Sequence, residues 1–170
     1  LIRKSNRPII LAGHGVRLSG GAQIFREVVS KLGIPVVSTW NASDLLYEDH
    51  PLYIGKPGAV ALRAPNFAVQ NSDLLISIGA RLDNIVTAYH PEGFARGAKK
   101  AMIDIDAVEL NKFQFLLDLK LQADAKQFLE ALHSATQTND SHSYKEWVAQ
   151  CQGWKKSCLR KLFYACLESP

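Results

Sequence analysis

The residues of this chain best placed to do chemistry are glycines, an arginine and carboxylates at the ends of apolar runs. Gly13-His14-Gly15 follows the run Arg7-Pro8-Ile9-Ile10-Leu11-Ala12 and has the opening spacing of the dinucleotide fingerprint G-x-G-x-x-G. The third glycine of that pattern falls on Leu18, and the acidic residue wanted at the end of the second strand is replaced by Ser38-Thr39-Trp40. A standard NAD site is therefore not expected. The turn still permits close approach of backbone to a ligand near a helix start, or it is simply a tight strand-to-helix connection. His14 lies inside it and counts with Gly13 and Gly15 as a candidate contact. A second group, Gly79-Ala80-Arg81-Leu82-Asp83, also follows an apolar run. Arg81 there can grip phosphate bidentately or stack on a ring; the plainer reading is a surface ion pair with Asp83. In the third group, Asp104-Ile105-Asp106, strand alternation puts both carboxylates on one side, where they can accept from a ribose or an adenine amine. The plainer reading is that Asp106 caps the helix that follows.

Catalytic chemistry is poorly provided for. His14, His50, His90, His133 and His142 are scattered, and no G-x-S-x-G, H-E-x-x-H or G-x-x-x-x-G-K-[ST] motif occurs. Neither a catalytic residue nor a metal site is expected. The three cysteines, Cys151, Cys158 and Cys166, form no C-x-x-C pair, which leaves no zinc ribbon or thioredoxin motif and points to free, partly buried thiols in a reducing, cytoplasmic setting.

The elements that would position these groups alternate. Strands are expected at 7–12, 35–38, 73–79, 100–106 and, more weakly, 119–123. Helices are expected at 21–32, ended by Gly33, from Pro65 through Asn71, over 108–112, and from the cap Asp124 through Leu132. A short helical piece capped by Ser43 is expected within 41–49, and a loop over 51–58. Such alternation specifies an α/β fold, a Rossmann-like doubly wound parallel sheet with helices on both faces. Residues 136–143 read as a polar loop. Beyond it Tyr144, Trp147, Val148, Cys151 and Trp154 share a helical stripe, so a C-terminal helical extension is expected over 144–167, with Trp147 or Trp154 packed against the domain or a second copy.

Composition agrees with one ordinary globular domain: 170 residues, 47% hydrophobic and 21% charged. The net charge of +4 is mild, and the one basic cluster, Lys155, Lys156, Arg160 and Lys161, reads as a solvated helix face. Neither nucleic acid nor a membrane is expected as a partner; no apolar run approaches 18 residues. A chain opening Leu1-Ile2-Arg3-Lys4, without an initiator Met or signal pattern, is expected to be a piece of a longer protein.

In order along the chain, residues 7–16, 32–39, 48–52 (Glu-Asp-His-Pro-Leu), 66–76 (Asn-Phe-Ala-Val-Gln-Asn-Ser-Asp-Leu-Leu-Ile), 79–83 (Gly-Ala-Arg-Leu-Asp) and 103–106 (Ile-Asp-Ile-Asp) resemble the central domain of thiamine-diphosphate-dependent enzymes of the acetolactate synthase family. The resemblance covers about residues 5 to 132. It implies a six-stranded parallel sheet, with residues 1–136 as the central domain and 137–170 as a helical extension or linker. It implies missing partner domains, pyrimidine-binding and diphosphate-binding, that carry thiamine diphosphate and Mg²⁺, and a homo-oligomeric parent acting on a 2-oxo acid such as pyruvate. The middle domain in this family binds FAD, ADP or nothing. Carried over residue by residue, the cofactor contacts would be Gly13, Gly15, Thr39, Gly58, Arg81, Asp83, Asp104 and Asp106. Two departures weaken the flavin half: the family's Gly-Met-His-Gly is Gly58-Ala59-Val60-Ala61 here, and its second arginine falls on Ile85. Two other readings are a free-standing nucleotide-binding module and a sirtuin-like NAD-dependent deacylase; the second needs a zinc-binding cysteine quartet that three C-terminal cysteines cannot supply.

Overall fold

The computed structural model describes residues 1–113, 115–136 and 143–167, with side chains of the last helix through Cys158. Six strands form one parallel sheet: β1 (Pro8–Ala12), β2 (Val36–Ser38), β3 (Tyr53–Gly55), β4 (Leu74–Ile78), β5 (Lys99–Asp104) and β6 (Leu119–Gln122), in the order β3-β2-β1-β4-β5-β6. The central strands are apolar on both sides because both sides are covered. Along β1, Ile10 and Ala12 enter one core while Ile9 and Leu11 enter the other.

Helices α1 (His14–Leu18), α2 (Ala22–Leu32) and α5 (Ala125–Ala135) lie over the first face; α3 (Arg63–Asn71), α4 (Ala107–Asn111) and α6 (Lys145–Leu167) lie over the second. Their ends follow the sequence signals. Gly33 closes α2 in the left-handed region at φ 63°. Asp124 caps α5, its side chain accepting from the backbone N–H groups of Lys126 and Gln127.

Several expectations are corrected. Residues 51–58 are not all loop, since Tyr53–Gly55 is edge strand β3; three residues set between Pro51 and Pro57 carry too short a period to read. The helical piece near 41–49 is a single 3-10 turn, Trp40–Ala42, and Ser43 ends it rather than capping its start. Residues 14–18 form a short helix, not just a turn. Strand β5 stops at Asp104, so alternation does not govern Asp106. The polar loop expected over 136–143 lies mostly outside the described residues.

Helix α6 is built into the second core. Trp147 and Cys151 are buried beside α3, and the Trp147 indole N–H donates to the Pro8 carbonyl at 2.8 Å. Two of its polar residues cover the free edge of β3. Gln152 donates to the Pro51 carbonyl at 2.7 Å, and the Lys155 ammonium donates to the Tyr53 carbonyl at 3.1 Å while pairing with the Glu48 carboxylate at 3.0 Å. Lys155 is thus buried, not part of a solvated basic face. Arg160 and Lys161 lie outside the described side chains. Burial also raises the Tyr53 phenol above its ordinary value, opposed by its hydrogen bond with Ser38 and reinforced by Glu48.

Burial pushes the Cys151 thiol up to about 12. The folded state therefore keeps its proton where the unfolded state, titrating near 9.0, has lost it. That contribution is complete below about pH 9 and fades as pH rises toward 12, at up to about 1.4 kcal/mol per unit for one proton. Iodoacetamide at pH 8 should leave Cys151 unmodified in the native chain and alkylate it after denaturation, as read by peptide mass spectrometry. Equal labelling in both states would contradict its burial.

Candidate functional site

Strands β1 and β4 are neighbours, but the chain leaves β1 toward β2 and leaves β4 toward β5. This divergence opens a crevice beyond the C-terminal ends of the strands, where open α/β sheets take ligands. A cavity of about 730 Å³ occupies that place, well within the range of small-molecule sites. Its wall contains His14, Gly15, Thr39, Arg81, Asp83, Asp104 and Asp106. The topology thus brings together seven candidates from four separate strand ends. Gly13 and Gly58 are not in the wall.

The glycines have a local explanation. A Cβ on Gly13 would stand 2.0 Å from the Gly79 carbonyl oxygen, and one on Gly15 would stand 2.8 Å from the Gly79 Cα. The two loops leaving β1 and β4 therefore touch backbone to backbone, and Gly79 itself sits at φ 58°. Gly58 has φ 129° and is held through both its N–H and its carbonyl by the Asn66 amide. A Cβ there would meet the Ile85 carbonyl oxygen at 2.2 Å. These glycines let protein approach protein.

The polar groups are partly engaged. Asp104 is buried and its Oδ1 accepts from the Asp106 N–H at 3.0 Å. Asp106 caps α4, its Oδ1 accepting from the Val108 N–H at 2.8 Å. Asp83 accepts from the Val86 N–H at 2.9 Å rather than pairing with Arg81. The Arg81 guanidinium lies 3.7 Å from Glu109 with 78% of its side chain exposed, so it is held loosely and can turn toward a ligand. The His14 Nδ1 lies 2.6 Å from the Asn41 carbonyl oxygen. Five wall carboxylates, Asp83, Asp104, Asp106, Glu109 and Asp124, face a single guanidinium. An anionic group is accordingly tolerable only beside Arg81 at the open side.

Wall residues that the sequence did not flag include Trp40, Asn41, Ile105, Glu109 and Asp124. Trp40 and Asn41 adjoin Thr39, and Glu109 lies in the first turn of the helix that Asp106 caps; Asp124 follows β6 and reaches the crevice only through the sheet order. Among the described residues, no group of three or more His, Cys, Asp or Glu side chains is placed to hold a metal ion. No helix among them is long and apolar enough to cross a membrane.

The fold and crevice define a Rossmann-type α/β domain with a cleft at its switch point. Residues 1–132 match the family model described as the thiamine pyrophosphate enzyme, central domain. The chain belongs to that family. It is 34% identical over 173 residues to the probable acetolactate synthase large subunit of Methanococcus aeolicus, covering 96% of this chain and 28% of the relative. Against the corresponding protein of Methanocaldococcus jannaschii it is 36% identical over 92% of this chain and 26% of the relative. The acetolactate synthase large subunit of Lactococcus lactis is 35% identical over 85% and 24%. The chain therefore spans about a quarter of the length of these relatives.

Proposed function

We propose that this chain is the non-catalytic middle domain of a larger acetolactate-synthase-like enzyme, and that its crevice holds an adenine nucleotide. The observation that carries the reading is the convergence of Arg81, Asp104 and Asp106 on one cavity at the switch point. The carboxylates take the ribose hydroxyls and the adenine amine, and Arg81 takes the diphosphate at the open side. Thiamine diphosphate, Mg²⁺ and the chemistry on a 2-oxo acid such as pyruvate belong to other domains of the parent, which supply this chain's partners. The parent is a cytoplasmic homo-oligomer in this reading.

Of the family's two middle-domain ligands, ADP fits this wall better than FAD. Residues for the adenosine and diphosphate line the cavity, whereas Val60 and Ile85 replace the polar residues that the family resemblance would put at the flavin end. A charge-assisted Arg–diphosphate contact contributes roughly 1.5–3 kcal/mol. Arg81→Ala should therefore weaken ADP binding about tenfold or more, at about 1.4 kcal/mol per decade. Titration calorimetry with ADP, FMN and FAD tests the reading. Binding of FMN without ADP would reverse the two ends of the site; binding of none of the three would leave a purely structural domain.

A further inference from the structure

Trp40 sits where the fingerprint of a dinucleotide site would place a carboxylate, yet it forms part of the wall of the same cavity. Its mount is fixed. The Thr39 N–H donates to the Ala12 carbonyl at 2.9 Å, the Ala42 N–H donates to the Thr39 carbonyl at 3.1 Å, and Ala42 is fully buried. The Asn41 carbonyl lies against His14 on the neighbouring loop. Trp40 is 49% exposed, and the Lys56 ammonium lies 5.9 Å from its ring centroid. In contrast, Trp147 is buried and hydrogen-bonded, and it packs edge-on against Trp154 at 5.8 Å. A half-exposed indole carried on a hydrogen-bonded backbone turn, with a cation at its ring and bordering an otherwise carboxylate-rich cavity, is suited to a flat heteroaromatic ring.

We propose that Trp40 is the ring-stacking residue of this site, its indole lying against the adenine plane while the carboxylates meet the ring and ribose edges. This rests on the adenine-nucleotide reading above. It makes Trp40, rather than a residue of the glycine turn, the group that selects a flat base over other ligands carrying a diphosphate.

The test is an ADP titration of the purified 170-residue chain, followed by tryptophan fluorescence and by calorimetry. ADP should change the emission of the wild type. Trp40→Phe should abolish that change and keep the Kd within about threefold, because a flat ring remains. Trp40→Leu should abolish it and raise the Kd about tenfold, the size of a lost aromatic–base stack. Both variants should melt with the wild type, since Trp40 is already about half exposed. ADP binding with unchanged emission, or an unaltered Kd in Trp40→Leu, would overturn the stacking role and leave the nucleotide reading standing. No ADP binding by the wild type would overturn both.

Discussion

Removing residues 140–170 should lower the melting midpoint of this chain by roughly 10 °C or more, or leave it insoluble. The deletion strips Trp147, Cys151 and Lys155 from the second face of the sheet and uncovers the edge of β3. Loss of one buried Trp costs about 3–5 kcal/mol, and each kcal/mol moves the midpoint about 2–4 °C for a domain of this size. It also uncovers the sides of α3 and β3 against which the helix packs, leaving an apolar patch on the second core. Trp147→Phe is the milder companion. It keeps most of the packing but leaves the Pro8 carbonyl without its donor, at a cost of about 1–3 kcal/mol. A truncated chain that melts with the full one would refute the packing of α6.

Gly13→Ala should destabilise the chain by about 3 kcal/mol or more. The new methyl would lie 2.0 Å from the Gly79 carbonyl oxygen and 2.4 Å from the Ala80 Cα, both backbone atoms, so the ends of β1 and β4 must separate. Gly97→Ala is the matched control: its Cβ meets nothing within 4 Å, and the change should stay within about 0.5 kcal/mol. Denaturant melts of the two variants separate two explanations of the glycine turn. If Gly13 served only to admit a ligand, Ala would weaken ADP binding and leave stability alone. The structure requires the reverse order, with stability lost first.

These two regions mark what could be read from the sequence and what could not. Strands β1 and β4 were legible because unbroken apolar runs have few alternatives in a protein with alternating helices, and β5 through its apolar centre Ala101-Met102-Ile103. Helices α2 and α5 were legible through Gly33 and Asp124, which act within one turn of their own positions. Strand β3 was not legible, because three residues between prolines show no period and gain their pairing only from β2. Lys155 read as a surface cation; its burial depends on Glu48 and the Tyr53 carbonyl, about a hundred residues away in sequence. The same limit applied at the crevice. Arg81, Asp104 and Asp106 were visible as residues at strand ends, and Glu109 follows Asp106 by three residues on α4, whereas Asp124 joined them only through the position of β6 beside β5. The engagement of Asp106 as a cap and of Asp83 with Val86 shows local hydrogen bonding competing with ligand roles at the same carboxylates.

In the proposed role this domain supports a larger enzyme without performing its chemistry. The direct measurement is acetolactate formation from pyruvate by the purified 170-residue chain, with thiamine diphosphate and Mg²⁺ supplied and a cooperative melt confirming that the sample is folded. No product above the protein-free control is expected. Turnover by the folded chain alone would contradict it.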